Sequence, residues 1–423
     1  MNRREAIKKI GLAGTAFCFA SLLNACNKTV PGTILLVSGW QEVNIGDIAH
    51  TPGLINILKT FLPEVEIILW EKAPAAEVEE MLHKYYPGMQ ILKGNIDDNS
   101  EVDNPLIYEA FDKSDLMIHG SGPYVVGQPH LEAWVKYTKN KPFGIFGTTI
   151  EKMNDKLKEL LSKAAFIYTR ETASLAVLKE SGLSGDHISF APDATFYFNL
   201  HDDVKAESFL LSAGLSKNEY ICAVPRSRRT PYYKIRNRHK WTEKSIEEME
   251  AYNFRLQQED FPKLREALIW WVRKTGYKVL LCPEMTYQVD LMDDILEILP
   301  ADVKPNVLKR GYWLPDEAAS VYARSCIVVS FDCHSPIIAA ANNVPFFYLR
   351  QPEDTIKGQM YYDLHFPDRV FEIEETTGQM IVDRLQEVWQ NYSYAKQRIT
   401  NEMETITQIY KSSCAEIASI LQK

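Results

Sequence analysis

The chain has 423 residues, 56 acidic against 47 basic side chains and a net charge of −9, a balance that argues against general nucleic-acid binding. With 46% hydrophobic and 24% charged residues it has the composition of a globular protein with core enough for two or three domains, and disordered or fibrous classes are excluded. No apolar run reaches the ~20 residues that a membrane span needs.

Residues 1–26 stand apart. Arg3-Arg4 and Lys8-Lys9 precede the small, apolar run from Gly11 to Leu23, which Leu23-Asn24-Ala25-Cys26 closes. A cationic start, an apolar middle and a small-residue end are the layout of a secretory signal, and the paired arginines point to the twin-arginine variant. The ending is that of a bacterial lipobox, in which Cys26 becomes the lipidated first residue of the mature chain. The expectation is an exported protein, lipid-anchored through Cys26 to a membrane of the bacterial cell envelope, in the periplasm or at the cell surface. Beyond Cys18 and Cys26, the cysteines at 222, 282, 326, 333 and 414 form no CxxC and no zinc spacing. No disulfide framework and no metal site are expected from them.

After a short tether, Thr33 to Ser38 reads as a buried parallel strand, followed by the loop Gly39 to Asp47 and a helix from about Ile48 to Leu62. Strand 65–70 and helix 75–86 follow. Strands at 116–119, 143–146, 166–168 and 188–190 end in Gly120-Ser121-Gly122, Gly147-Thr148-Thr149, Thr169-Arg170-Glu171 and Ala191-Pro192-Asp193. From Phe198 to Lys217 the alternation lapses into a polar stretch. It resumes at Tyr220–Val224 and continues through a helix at 261–275 and strands at 278–282, 327–329, 345–349 and 370–373. The tail from Thr377 is helical by its periodicity. Alternating strands and helices imply two doubly wound Rossmann-like α/β domains, 33–197 and 218–375, facing a cleft, plus a C-terminal helical segment, 376–423. Ligands of such sheets sit at the carboxyl ends of the strands.

Ser330-Phe331-Asp332-Cys333-His334-Ser335-Pro336 lies at one such end, between an apolar strand and an Ala-rich helix. Asp332 and His334 therefore point where chemistry is expected. Asn44-Ile45-Gly46-Asp47 opens a helix whose amides favour an anion. Gly120 and Gly122 offer a ligand close backbone approach. Arg170 has the planar fork that suits a carboxylate or phosphate, and Lys357 follows the strand at 345–349. The segment from Pro225 to Trp241 is a compositional anomaly, with seven cations and no acid inside an acidic protein. Its Arg226, Arg228 and Arg229, with interleaved aromatics, suit an acidic sugar polymer or a phosphate-bearing ligand.

In this order and spacing, Asn44 to Asp47, the Gly120-Ser121-Gly122 turn, Thr169 to Ser174, Pro192-Asp193, and Ser330 with His334 four residues on, then Val344-Pro345, resemble the polysaccharide pyruvyl transferase family. The resemblance covers roughly Ile34 to Leu364. It implies a fold similar to that of GT-B glycosyltransferases and the transfer of a pyruvyl group from phosphoenolpyruvate to a sugar as a ketal. It also implies an acid or base role for His334 at the enolpyruvate. The family's late motif reads Ser-x-Arg-x-His, and here the arginine position is Asp332. No cofactor is required, and phosphoenolpyruvate is the donor only where pyruvyl transfer is retained. An acidic or pyruvylated polysaccharide is the expected partner. Two other classes stay open. One is a glycan-cleaving hydrolase or lyase using Asp332 and His334 with Glu284 or Asp193. The other is a non-catalytic surface glycan-binding lipoprotein.

Overall fold

The computed structural model describes residues 30–72, 75–139, 141–236 and 238–423; the expected signal segment with Cys26 lies outside them. Seven strands, β1 (Gly32–Ser38), β2 (Val65–Glu71), β3 (Gln90–Leu92), β4 (Leu116–His119), β5 (Phe143–Thr148), β6 (Phe166–Thr169) and β7 (Ile188–Phe190), form the first sheet in the order β3-β2-β1-β4-β5-β6-β7. The second comprises β8 (Tyr220–Val224), β9 (Lys278–Leu281), β10 (Val307–Lys309), β11 (Val328–Ser330), β12 (Phe346–Arg350) and β13 (Val370–Glu372), ordered β10-β9-β8-β11-β12-β13. Every pairing within the two sheets is parallel.

The strands read as continuous apolar runs because both faces are covered. Ile34 and Leu36 of β1 belong to one core, Leu35 and Val37 to another, as the two-residue pleat demands. In the second sheet, Cys222 and Val224 share the core of Ile34, whereas Ile221 and Ala223 pack on the outer helices. One apolar layer is thus common to both domains. The order reverses between β1 and β4 and again between β8 and β11, so each sheet has a switch point, and loops leaving it diverge to open a crevice.

Backbone bonds tie the two domains across that crevice. The Ile45 amide donates to the Glu284 carbonyl at 3.0 Å, and that of Thr286 to Val43 at 3.1 Å. The last helix, Tyr392–Leu421, returns to the first sheet, where the Tyr410 hydroxyl donates to the Asp193 carbonyl at 2.7 Å and that of Tyr168 to Glu416 at 2.6 Å.

Local differences from the sequence reading have physical reasons. The helix expected from Phe261 runs from Glu243 to Thr275, capped by Thr242, straight through Pro262. Proline removes one helical bond, and burial of Phe261, Leu264, Leu268 and Trp271 on the second sheet outweighs it. The polar stretch after Phe198 contains the helix Asp203–Ala213, started by the Asp202 side chain and stopped by Gly214 at φ 60°.

Candidate active site in the interdomain cleft

The turn after β11 is held by Ser330, whose hydroxyl accepts the Asp332 amide at 2.9 Å and donates to the Asp332 carbonyl at 2.7 Å. This delivers His334 as the first residue of the helix His334–Ala341. The carboxylate of Glu284, which follows β9, accepts the Ser335 amide at 2.6 Å and its hydroxyl at 2.8 Å. A carboxylate at a helix N-terminus on such donors stays ionised. Its other oxygen lies 3.0 Å from His334 Nδ1. Burial opposes a charge on His334, but the adjacent Cys333 sulfur and the Glu284 carboxylate outweigh it and hold the imidazole well above its usual value.

The first domain supplies the opposite wall. The Asn44 side chain caps the helix Ile45–Phe61, accepting the amides of Gly46 at 2.7 Å and Asp47 at 3.3 Å. A Cβ on Gly46 would overlap the His334 ring, so glycine is what lets the two domains close there. Two turns of this helix present Asp47 and His50. His50 Nε2 stands 3.1 Å from His334 Nε2 and 3.2 Å from Asp193 Oδ2. Arg170 Nη1 donates to the same Asp193 oxygen at 2.7 Å. The result is a buried relay from Glu284 through His334, His50 and Asp193 to Arg170. Despite complete burial, the two histidines and Arg170 hold Asp193 well below the usual carboxylate range.

Cations ring the opening. Arg226, after β8, donates to Asp354 at 2.6 Å, and Lys357 reaches the same carboxylate at 2.8 Å. Asp332 accepts from Gln288 Nε2 at 2.7 Å and lies 3.8 Å from Arg226 Nε. Burial first, and then the Glu284 charge, push its carboxyl up to about 6. Asn44, Asp47, Arg170, Arg226, Asp332, His334 and Lys357 line one cavity of about 90 Å³, room for a carboxylate-sized group rather than a whole sugar. Asp47, His50 and His334 each place a ligand atom within 4.8 Å of the others, a donor set that suits a nitrogen-preferring divalent ion. The Glu284 and Asp193 contacts already give the two imidazoles hydrogen-bonding partners without one.

Other sequence candidates go elsewhere. The carboxylate on His334 Nδ1 is that of Glu284, not Asp332. Arg228 turns away from the cleft, bidentate on the buried Asp260 at 2.8 and 2.9 Å, with a single bond to the exposed Glu374 at 2.7 Å. Arg229 lies over the Tyr252 ring at 4.1 Å. Gly120 and Gly122 make room for Ser38 and Trp40 of the protein itself. Sequence reasoning missed His50, Gln288 and Asp354 altogether. His50 had one legible signal, its place one helical turn after Asp47 on the same face.

Two parallel-sheet α/β domains closing on a cleft built from their strand ends are the GT-B architecture of nucleotide-sugar enzymes. A glycosyltransferase from Rickettsia africae superposes with a TM-score of 0.58 at 13% identity, over 93% of this chain and 99% of that one. Anabaena HepE, solved with UDP-glucose, gives 0.57 at 11% over 92% and 100%. UDP-GlcNAc 2-epimerase from Neisseria meningitidis gives 0.55 at 12% over 92% and 100%. These likenesses concern the fold. The chain itself belongs to the polysaccharide pyruvyl transferase family, whose model matches residues 44–351. Among curated proteins none matches the chain.

Proposed function

We propose that this family member is a glycan-modifying transferase that moves a pyruvyl group from phosphoenolpyruvate to a sugar diol, with His334 as its acid. The observation that carries the reading is the His334 imidazole, its proton held by Cys333 and Glu284, opening on a cavity edged by Arg170, Arg226 and Lys357. In that reaction the imidazolium protonates C3 of the enol as the first sugar hydroxyl adds to C2, and the hydroxyl's proton returns to the ring. The second hydroxyl then displaces phosphate, which leaves with that hydroxyl's proton, and the ketal closes. Positioned acids of this kind contribute about 10²–10⁴ in rate. Arg226 and Lys357 supply the positive charge that the family's arginine gives at the position of Asp332. Release of inorganic phosphate from phosphoenolpyruvate, dependent on an acceptor glycan, tests the assignment; its absence with a range of acceptors rejects it.

A second reading has its own support. Asp332 holds a carboxyl raised to about 6 while Asp354 beside it is depressed by burial-resistant pairing with Arg226 and Lys357. A carboxyl raised to that value on the cavity wall suits acid catalysis on a glycosidic bond. New reducing or unsaturated ends, without phosphate release, would select cleavage. The layout of residues 1–26 supports export and lipid anchoring at Cys26, and loss of lipid labelling in Cys26→Ala tests this. Cleavage would need no cytoplasmic donor, so the two questions are worth settling together.

A further inference from the structure

Inside the cleft, Arg170, Arg226 and Lys357 are each already paired with a carboxylate. Arg170 answers Asp193 while Arg226 and Lys357 share Asp354, so the positive charge left over there serves one phosphorylated donor and leaves none for a run of acid groups. Next to it, and sharing Tyr232 with it, lies a groove of about 600 Å³ lined by Tyr232, Arg236, Lys240, Trp241, Thr242 and Ser245. Among the described residues of the basic segment, ion pairs fall on Arg226, Arg228 and Arg238, whereas Arg236 and Lys240 have none and are exposed.

We propose that this groove is a subsite for a carboxylate-bearing stretch of the glycan chain, with Trp241 as the platform for a sugar ring and Arg236, held over Tyr232, and Lys240 as partners for the acid groups. The inference rests on the glycan reading of the neighbouring cleft. Arg236 stands over the Tyr232 ring at 5.0 Å, which sets a guanidinium fork beside an aromatic face, the pairing that a uronic acid residue requires. The remaining lining, two hydroxyls and two aromatic faces, provides the few polar groups on an apolar wall that typify sugar-binding clefts.

The test is calorimetric titration of the intact chain with hexagalacturonate and, as the uncharged control, maltohexaose. The acidic hexamer should bind at least about tenfold more tightly than the neutral one, and raising salt to about 0.3 M should erase most of the difference. Arg236→Ala with Lys240→Ala should cost the acidic hexamer about tenfold in affinity and leave the neutral one unchanged. Trp241→Ala should weaken both. A chain that binds acid and neutral hexamers alike, that binds neither, or whose double variant matches the parent overturns the subsite. Failure of phosphate release with binding intact would instead reject pyruvyl transfer and leave the subsite standing.

Discussion

Each sheet ends a strand at its switch point next to a histidine, and the two histidines have opposite fates. His119 ends β4 with its Nε2 accepting the Gly127 amide at 2.9 Å and its ring stacked on Trp40 at 4.6 Å. Burial pushes it down to about 3, so it is neutral at any physiological pH. His334 is also buried, yet the Cys333 sulfur and the Glu284 carboxylate beside it keep it charged. The carboxylates repeat the contrast. Glu71, at the end of β2, is pushed up to about 7 chiefly by burial, whereas Glu284 is held low by its donors in spite of burial. Burial neutralises an ionisable group unless a partner is buried with it. The ends of β2 and β4 lack such partners, while the ends of β9 and β11 have them.

The largest expected effect breaks the second wall directly. His334→Ala should lower turnover about 10³-fold, the loss expected for a positioned acid, while circular dichroism still reports a folded chain. A variant retaining more than about a tenth of the parent activity would mean that the charged histidine does no chemistry. Glu284→Gln should follow with a loss of about 10²-fold and a change in shape of the pH profile. A raised histidine value means the proton is held to higher pH, and its stabilisation is lost only as pH rises through that value. Without the Glu284 charge the alkaline limb should therefore move to lower pH. An unmoved limb would assign the raised value to another neighbour. His119→Ala should do the converse, costing about 2 kcal/mol by leaving the Gly127 amide unpaired, with turnover within about twofold of the parent once the chain is folded. Urea denaturation and steady-state rates on one preparation separate these outcomes.

The fold was legible because its strands are apolar runs cut off by polar strand ends, a local pattern that survives without knowledge of the tertiary structure. The short edge strands β3 and β10 escaped notice, since three residues carry too little pattern. At the site, residues next to a strand end, such as Asp332, His334, Arg170 and Arg226, could be singled out from position alone. Their partners could not. Glu284 was named only as an alternative acid, and its contact with His334 spans 50 positions in the chain. His50 is buried on an almost wholly apolar helix, where a lone histidine reads as core. The basic segment shows the limit most clearly. Composition located it, but only packing reveals that Arg228 neutralises Asp260 while Arg236 faces solvent.

Glu71 gives the mildest and most diagnostic prediction. Its carboxyl packs on Gly39, where the loop leaves β1, and its Oε2 atom has no hydrogen-bond partner. The folded value, about 7, exceeds the ordinary carboxyl value of 4.5, so below about pH 4 the group is protonated in both states and costs nothing. Between those values the unfolded chain ionises first and stability falls as pH rises, and above about pH 7 the full cost is felt. Glu71→Gln removes the ionisation while keeping the shape. It should gain about 1–2 kcal/mol over the parent at about pH 8 and nothing at about pH 4, the shift being worth at most about 3 kcal/mol. An equal gain at both pH values would trace the effect to packing against Gly39. It would also remove Glu71 as the counterpart of Glu284, leaving His119 alone to represent burial without a partner.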